Sequence, residues 1–271
     1  MNLAFGPVSF EAHFDPALDP IRLDKLVRAA APPKTLRYDP WPRRVHRILD
    51  VVIGPSEPAS SEPRFVEERG RLSFQARGAV AYIDSGGCGL TLDPSLRPGE
   101  MMDQLTLTLA ATGVAALLEE GLGVVLHAST SAQSGRAWTF PAPHATGKST
   151  VVNRLDPDRK ITDDLTTLVP GDDGLWRAGG VNATGTGTLP LGGLLFLRRG
   201  GRTTLGPALP VAEALRLAIR NAVLFPGSPT LSALLMDRLI KIVAEVPCRM
   251  MDVSLKDLDR ALFRRLTCPT T

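Results

Sequence analysis

A short apolar run at 137–140 enters the residues A-P-H-A-T-G-K-S-T at 142–150, which lead directly into Val151, Val152 and Leu155 at helical spacing. A strand, a tight loop and a helix thus follow one another without a spacer, as in folds that pack helices on a sheet. The loop follows the pattern G-x-x-x-x-G-K-[ST], with Ala142 in place of the first glycine. The residue types explain what such a loop holds. Successive backbone N–H groups wrap a phosphate and the helix N-terminus adds its dipole. In that arrangement Ala142, Pro143, His144, Ala145, Thr146, Gly147, Lys148, Ser149 and Thr150 form a nucleotide cradle, with Lys148 reaching the terminal phosphates and the Ser149 hydroxyl at a Mg²⁺ position.

Past the loop helix, Lys160-Ile161-Thr162-Asp163-Asp164 reads as a short strand ending in two carboxylates. Phosphoryl transfer needs an acidic group for the metal and one to accept the proton of the attacking hydroxyl, and an aspartate pair beside such a loop supplies both. Successive strand residues face opposite sides, so both carboxylates serve one site only if the strand bends or ends there.

The order Leu126-His127-Ala128 in a strand, a hairpin at Gly135-Arg136, the loop and then Asp163-Asp164 resembles the HPr kinase/phosphorylase family and the HPr-kinase-related proteins of peptide-modification gene clusters, among them kinases of a serine in lasso-peptide precursors. The similarity runs on through G-G-L-L-F-L-R at 192–198 and V-P-C-R at 246–249. The resemblance implies a P-loop, HPr-kinase/PEP-carboxykinase-like domain whose mixed sheet is flanked by helices. It places His127 beside the transferred phosphate. It makes Asp163 and Asp164 metal ligand and general base, with the order between them open and Asp163 carried as the metal residue beside Ser149. His144-Ala145 stands where the family has a small polar residue and glycine, and 188–193 lacks the arginine-bearing signature of the bifunctional enzymes, so phosphorolysis is not expected.

The expected activity is an ATP- and Mg²⁺-dependent kinase acting on a Ser or Thr hydroxyl of a precursor peptide or small protein, with Asp163, Asp164, His127 and Lys148 as its catalytic set. Two alternatives stand beside it: a non-catalytic nucleotide-binding regulatory protein with a degenerate loop, and a kinase of a small alcohol or amino acid. A homo-oligomer is compatible with the resemblance.

Composition narrows the partners. The chain has 271 residues with 31 basic against 28 acidic side chains, and a net +4 lies between Lys34 and Arg47 alone. No basic face of the extent that nucleic acid requires is expected. The segment R-Y-D-P-W-P-R-R-V-H-R at 37–47 reads either as a solvated loop or as a dock for an acidic peptide. Cys88, Cys248 and Cys268 are too dispersed for a disulfide framework or a cysteine zinc site. The most apolar stretch, 105–118, is too short to span a bilayer and reads as a buried helix, so a cytoplasmic, non-membrane protein is expected.

The expected fold class is α/β (α+β), with a β-rich N-terminal domain at 1–97 and the catalytic domain at 98–271. Strands are expected within 3–14 and at 45–53, 71–77, 79–83, 89–92, 124–129, 137–140 and 249–253, with a mobile loop at 54–63. Helices are expected at 21–31, 98–120, 211–223 and 231–244, and a last one is expected to open on a capping box at Ser254. The Gly/Thr stretch at 181–188 reads as a plain loop or as one that closes over nucleotide or substrate.

Overall fold

Strand parity dictates the first sheet. In β3 (Val45–Ile53), Arg47, Leu49 and Val51 are buried while His46, Ile48, Asp50 and Val52 are exposed, the period of two expected of a sheet with one wet face. In a computed structural model describing residues 2–14, 42–43, 45–55, 62–68, 71–84, 87–143, 145–156, 159–181 and 188–267, this strand is third in a seven-stranded sheet. The others are β1 (Asn2–Phe5), β2 (Val8–Phe14), β4 (Arg64–Glu68), β5 (Arg71–Ala76), β6 (Ala79–Ile83) and β7 (Gly87–Leu92), in the order β1-β2-β3-β7-β6-β5-β4. Strands β2, β3 and β7 run parallel and the remaining pairs antiparallel, so the sheet is mixed.

Helix α1 (Pro98–Glu119) covers the inner face of this sheet and also meets the second sheet. Its Leu105, Val114, Ala115, Leu117 and Leu118 are buried, as expected for the apolar stretch. A single hydrophobic core runs from Phe10, Leu49 and Phe74 through these residues to Leu126, Leu194 and Leu239. Where α1 meets β1, a Cβ on Gly113 would lie 2.3 Å from the ring of Phe5. Gly113→Ala is therefore expected to destabilise by about 1–3 kcal/mol through overpacking, although alanine in an open helix position would favour folding by about 0.5–1 kcal/mol. Urea unfolding checks the sign, and a raised midpoint would refute the close contact.

The second sheet contains β8 (Val124–Gln133), β9 (Arg136–Pro141), β10 (Lys160–Thr162), β11 (Leu165–Pro170), β12 (Trp176–Gly180), β13 (Leu189–Arg199), β14 (Thr204–Ala208) and β15 (Cys248–Val253). Its main order is β10-β8-β11-β12-β13-β15-β14, and β9 pairs with both β8 and β13. The pairings β8-β11-β12-β13-β9-β8 consequently form a closed circuit. Inside it the hydroxyls of Thr130, Thr139 and Thr166 bond one another, Thr130 lying 3.0 and 2.8 Å from the other two. Helices α2 (Lys148–Leu155), α3 (Val211–Asn221), α4 (Pro229–Glu245) and α5 (Arg260–Thr267) complete the described residues. The architecture is thus α+β, with two mixed sheets and five helices among the described residues.

Some boundaries differ from expectation. Strands β4, β11, β12 and β14 were not expected, and β8 runs on to Gln133. The last helix starts at Arg260 instead of Ser254. Asp259 accepts from the Leu262 N–H at 2.7 Å, while the Asp257 carboxylate is taken by the backbone and hydroxyl of Thr203 at 3.0 and 2.7 Å. The expected helix at 21–31, residues 56–61 of the expected loop, His144, the 182–187 part of the Gly/Thr stretch and Cys268 lie outside the described residues.

Candidate functional site

The 142–150 loop is fixed at both ends by a small second core. Trp138 and Phe140 of β9 pack with Val151, Val152 and Leu155 of α2, with Leu195 and Met251 of the sheet, and with Phe263 of α5. The ring of Phe263 meets Trp138 at 6.0 Å and Phe140 at 5.7 Å. The short strand and helix on either side of the loop are each anchored this way.

Within the loop, Gly147 is the N-cap of α2 with φ 97° and ψ 21°, a left-handed conformation that glycine adopts without a Cβ penalty. Replacing the first glycine by Ala142 raises the question of backbone strain. Ala142 is buried and is not among the residues of positive φ, whereas Ala145 has φ 60°. A left-handed L-residue costs roughly 1–2 kcal/mol. The Thr146 hydroxyl donates to the Pro143 carbonyl at 2.7 Å and closes a turn over this residue. From the end of β13, Arg199 Nη2 donates to the Ala145 carbonyl at 3.4 Å.

Lys148 is only 6% exposed. Its Nζ donates to the carbonyls of Ala142 at 2.7 Å and Pro143 at 3.0 Å, so the ammonium is folded onto its own loop. Burial pulls its pKa below the usual lysine range, and the negative charge of Asp164 works in the opposite direction. Ser149 and Thr150 are exposed in the first turn of α2.

The two aspartates interrupt a continuous edge of β8. Thr162 lies opposite Thr130 and Leu165 opposite His127, and between these pairs the chain bends. The Asp164 carbonyl accepts from the Ala128 N–H at 2.8 Å and the Asp163 carbonyl from the Ser129 hydroxyl. Both carbonyls turn to β8 and the carboxylates part. Asp164 Oδ1 lies 2.6 Å from His127 Nε2, and Asp163 Oδ2 takes a hydrogen bond from Lys160 at 3.1 Å. Asp163 Oδ1 is buried and has no hydrogen-bond partner among the described residues. The structure thus brings Lys148, Asp164 and His127 into one electrostatic neighbourhood and turns the Asp163 carboxylate to Lys160.

No group of three or more His, Cys, Asp or Glu side chains suited to a metal occurs among the described residues. A metal caged by protein alone does not fit here. Mg²⁺ does fit, since it is bound through one or two carboxylates with substrate phosphates and waters supplying the rest. The orphaned Asp163 Oδ1 and the exposed Ser149 hydroxyl are hard oxygen donors of the required kind.

Two further features bear on the expectations. Of the basic segment, Arg37, Tyr38, Trp41 and Arg44 lie outside the described residues. Arg47 is 4% exposed, because strand parity puts it on the inner face, and it bonds the Glu120 carboxylate at 2.5 Å and the Asp84 carbonyl at 3.1 Å. Arg43 donates to the Glu120 carbonyl at 3.4 Å. These two arginines hold the C-terminal end of α1, where a helix favours positive charge. A cavity of about 520 Å³ lined by Glu68, Arg71, Ser73 and Tyr82 belongs to the first sheet, away from the 142–150 loop. Sequence reasoning did not single out Arg199 or Lys160; the paired arginines closing β13 were the only local signal.

A scan against protein-family models finds none that matches the chain, and a search of the curated proteins finds no match either.

Proposed function

We propose that the chain is an ATP- and Mg²⁺-dependent kinase that transfers the γ-phosphoryl group to a Ser or Thr hydroxyl of a peptide or small protein. The observations that support this best are the 2.6 Å approach of Asp164 to His127 on neighbouring strands and the electrostatic influence of Asp164 on Lys148, which sits at the N-terminus of α2. The loop amides and Lys148 bind and orient the phosphates. Asp164 accepts the proton of the attacking hydroxyl, and His127, 2.6 Å from its Oδ1, orients the carboxylate. Ser149 and Asp163 are the residues to hold Mg²⁺, which when bound neutralises charge on the phosphates. This divides the roles of the two aspartates: the acid beside His127 takes the proton.

The test is transfer of label from γ-labelled ATP to candidate precursor peptides, with the Lys148→Ala chain alongside. Label on a peptide serine or threonine, lost in the variant, is expected. Label on a small alcohol or amino acid instead would replace the peptide by a metabolite. Calorimetric ATP binding without any transfer would favour the second reading, a nucleotide-binding regulatory protein. That reading draws on the left-handed Ala145 and on a Lys148 already occupied by loop carbonyls.

A further inference from the structure

Two cations grip the carbonyls of the 142–150 loop. Lys148 Nζ takes those of Ala142 and Pro143, at 2.7 and 3.0 Å, and Arg199 Nη2 takes that of Ala145, at 3.4 Å. The third carbonyl belongs to the residue at φ 60°, where a Cβ resists the conformation. The Lys148 ammonium has three protons and two are on carbonyls, so each further proton it turns to a phosphate releases one of these carbonyls. Among the described residues, the Thr146–Pro143 turn and Arg199 are then the side-chain bonds that still hold the loop. Arg199 is available for this because its neighbour is not. Arg198 is committed to Asp252 by bonds of 2.6 and 3.0 Å, and successive strand residues project to opposite faces.

We propose that Arg199 is a positioning residue that holds Ala145 in its left-handed conformation and so keeps the loop in a phosphate-accepting shape. It does from the adjoining strand what a glycine at this position would do through backbone freedom. The inference rests on the reading of the loop as a nucleotide site.

A contact of 3.4 Å is at the long end for a hydrogen bond, so the effect is modest. Arg199→Ala is expected to weaken MgATP binding about three- to tenfold by calorimetry, the range of one ordinary hydrogen bond and below that of a well-formed charge-assisted one, with the thermal midpoint of the free protein unchanged. Arg199→Lys is expected to retain part of the affinity. The decisive variant is Ala145→Gly, which removes the strain: in that background Arg199→Ala is expected to cost little or nothing. An equal loss in both backgrounds would mean that Arg199 touches the nucleotide directly and would overturn the positioning role, as would unchanged affinity in Arg199→Ala. Absence of MgATP binding by the unaltered chain would instead overturn the nucleotide reading, and this inference with it.

Discussion

Lys148→Ala is expected to abolish phosphoryl transfer, with turnover down by about 10²–10³-fold or more, the scale of losing one preorganised charge donor at a reacting group. Lys148 is the only Lys or Arg within 142–150; Ala142, Ala145 and Gly147 offer backbone amides alone, Thr146, Ser149 and Thr150 add hydroxyls, and His144 an imidazole. Its ammonium is already desolvated, so its interaction with a phosphate is made in a medium less screening than water. The same substitution frees the Ala142 and Pro143 carbonyls, and a thermal melt beside the assay separates loss of fold from loss of function. Ordinary ATP affinity and turnover in a folded Lys148→Ala chain would end the assignment.

The second large effect separates the aspartates. Asp164→Asn leaves a side chain of the same shape that takes no proton, and it removes the charge 2.6 Å from His127. Turnover is expected to fall about 10²–10⁴-fold, the usual contribution of a general base, while MgATP affinity changes little. Asp163→Asn is expected to act differently, raising the Mg²⁺ concentration needed for half-maximal activity with turnover largely recovered at saturating metal. Magnesium titrations of both variants decide between these roles. If Asp163→Asn fails at every magnesium concentration while Asp164→Asn is rescued, the two roles are exchanged.

What was legible beforehand was local. The strand, loop and helix around Gly147-Lys148-Ser149 are encoded within twenty residues by periodicity and by a turn glycine, and β9 and α2 lie there. His127 and the Asp163-Asp164 bend were also marked by their neighbours. The undetected strands have physical reasons. Thr166, Thr167, Leu168 and Val169 of β11 are all buried because the strand lies within the closed circuit, so it shows no alternation of apolar and polar residues. In β14 the Gly206-Pro207 pair reads as a turn, yet an edge strand tolerates proline. Arg47 looked like part of a solvated charge run until the parity of Leu49 and Val51 placed it inside. Arg199 lies far along the chain from Ala145, and no window on the sequence joins them.

The place of α1 between the sheets also sets how the molecule responds to occupancy of the 142–150 loop. A ligand that binds only the folded form adds stability by mass action, about 2.7 kcal/mol at a hundredfold excess over its Kd. Because Phe5 and Phe74 of the first sheet share one core with α1 and with Leu126 of β8, that stabilisation is distributed over any opening that breaks the shared core. The first sheet carries none of the loop's residues and the loop sits on the smaller core, so a ligand there would protect the first sheet's amides only against openings that also release the loop, and α1 joins the two sheets in such an opening.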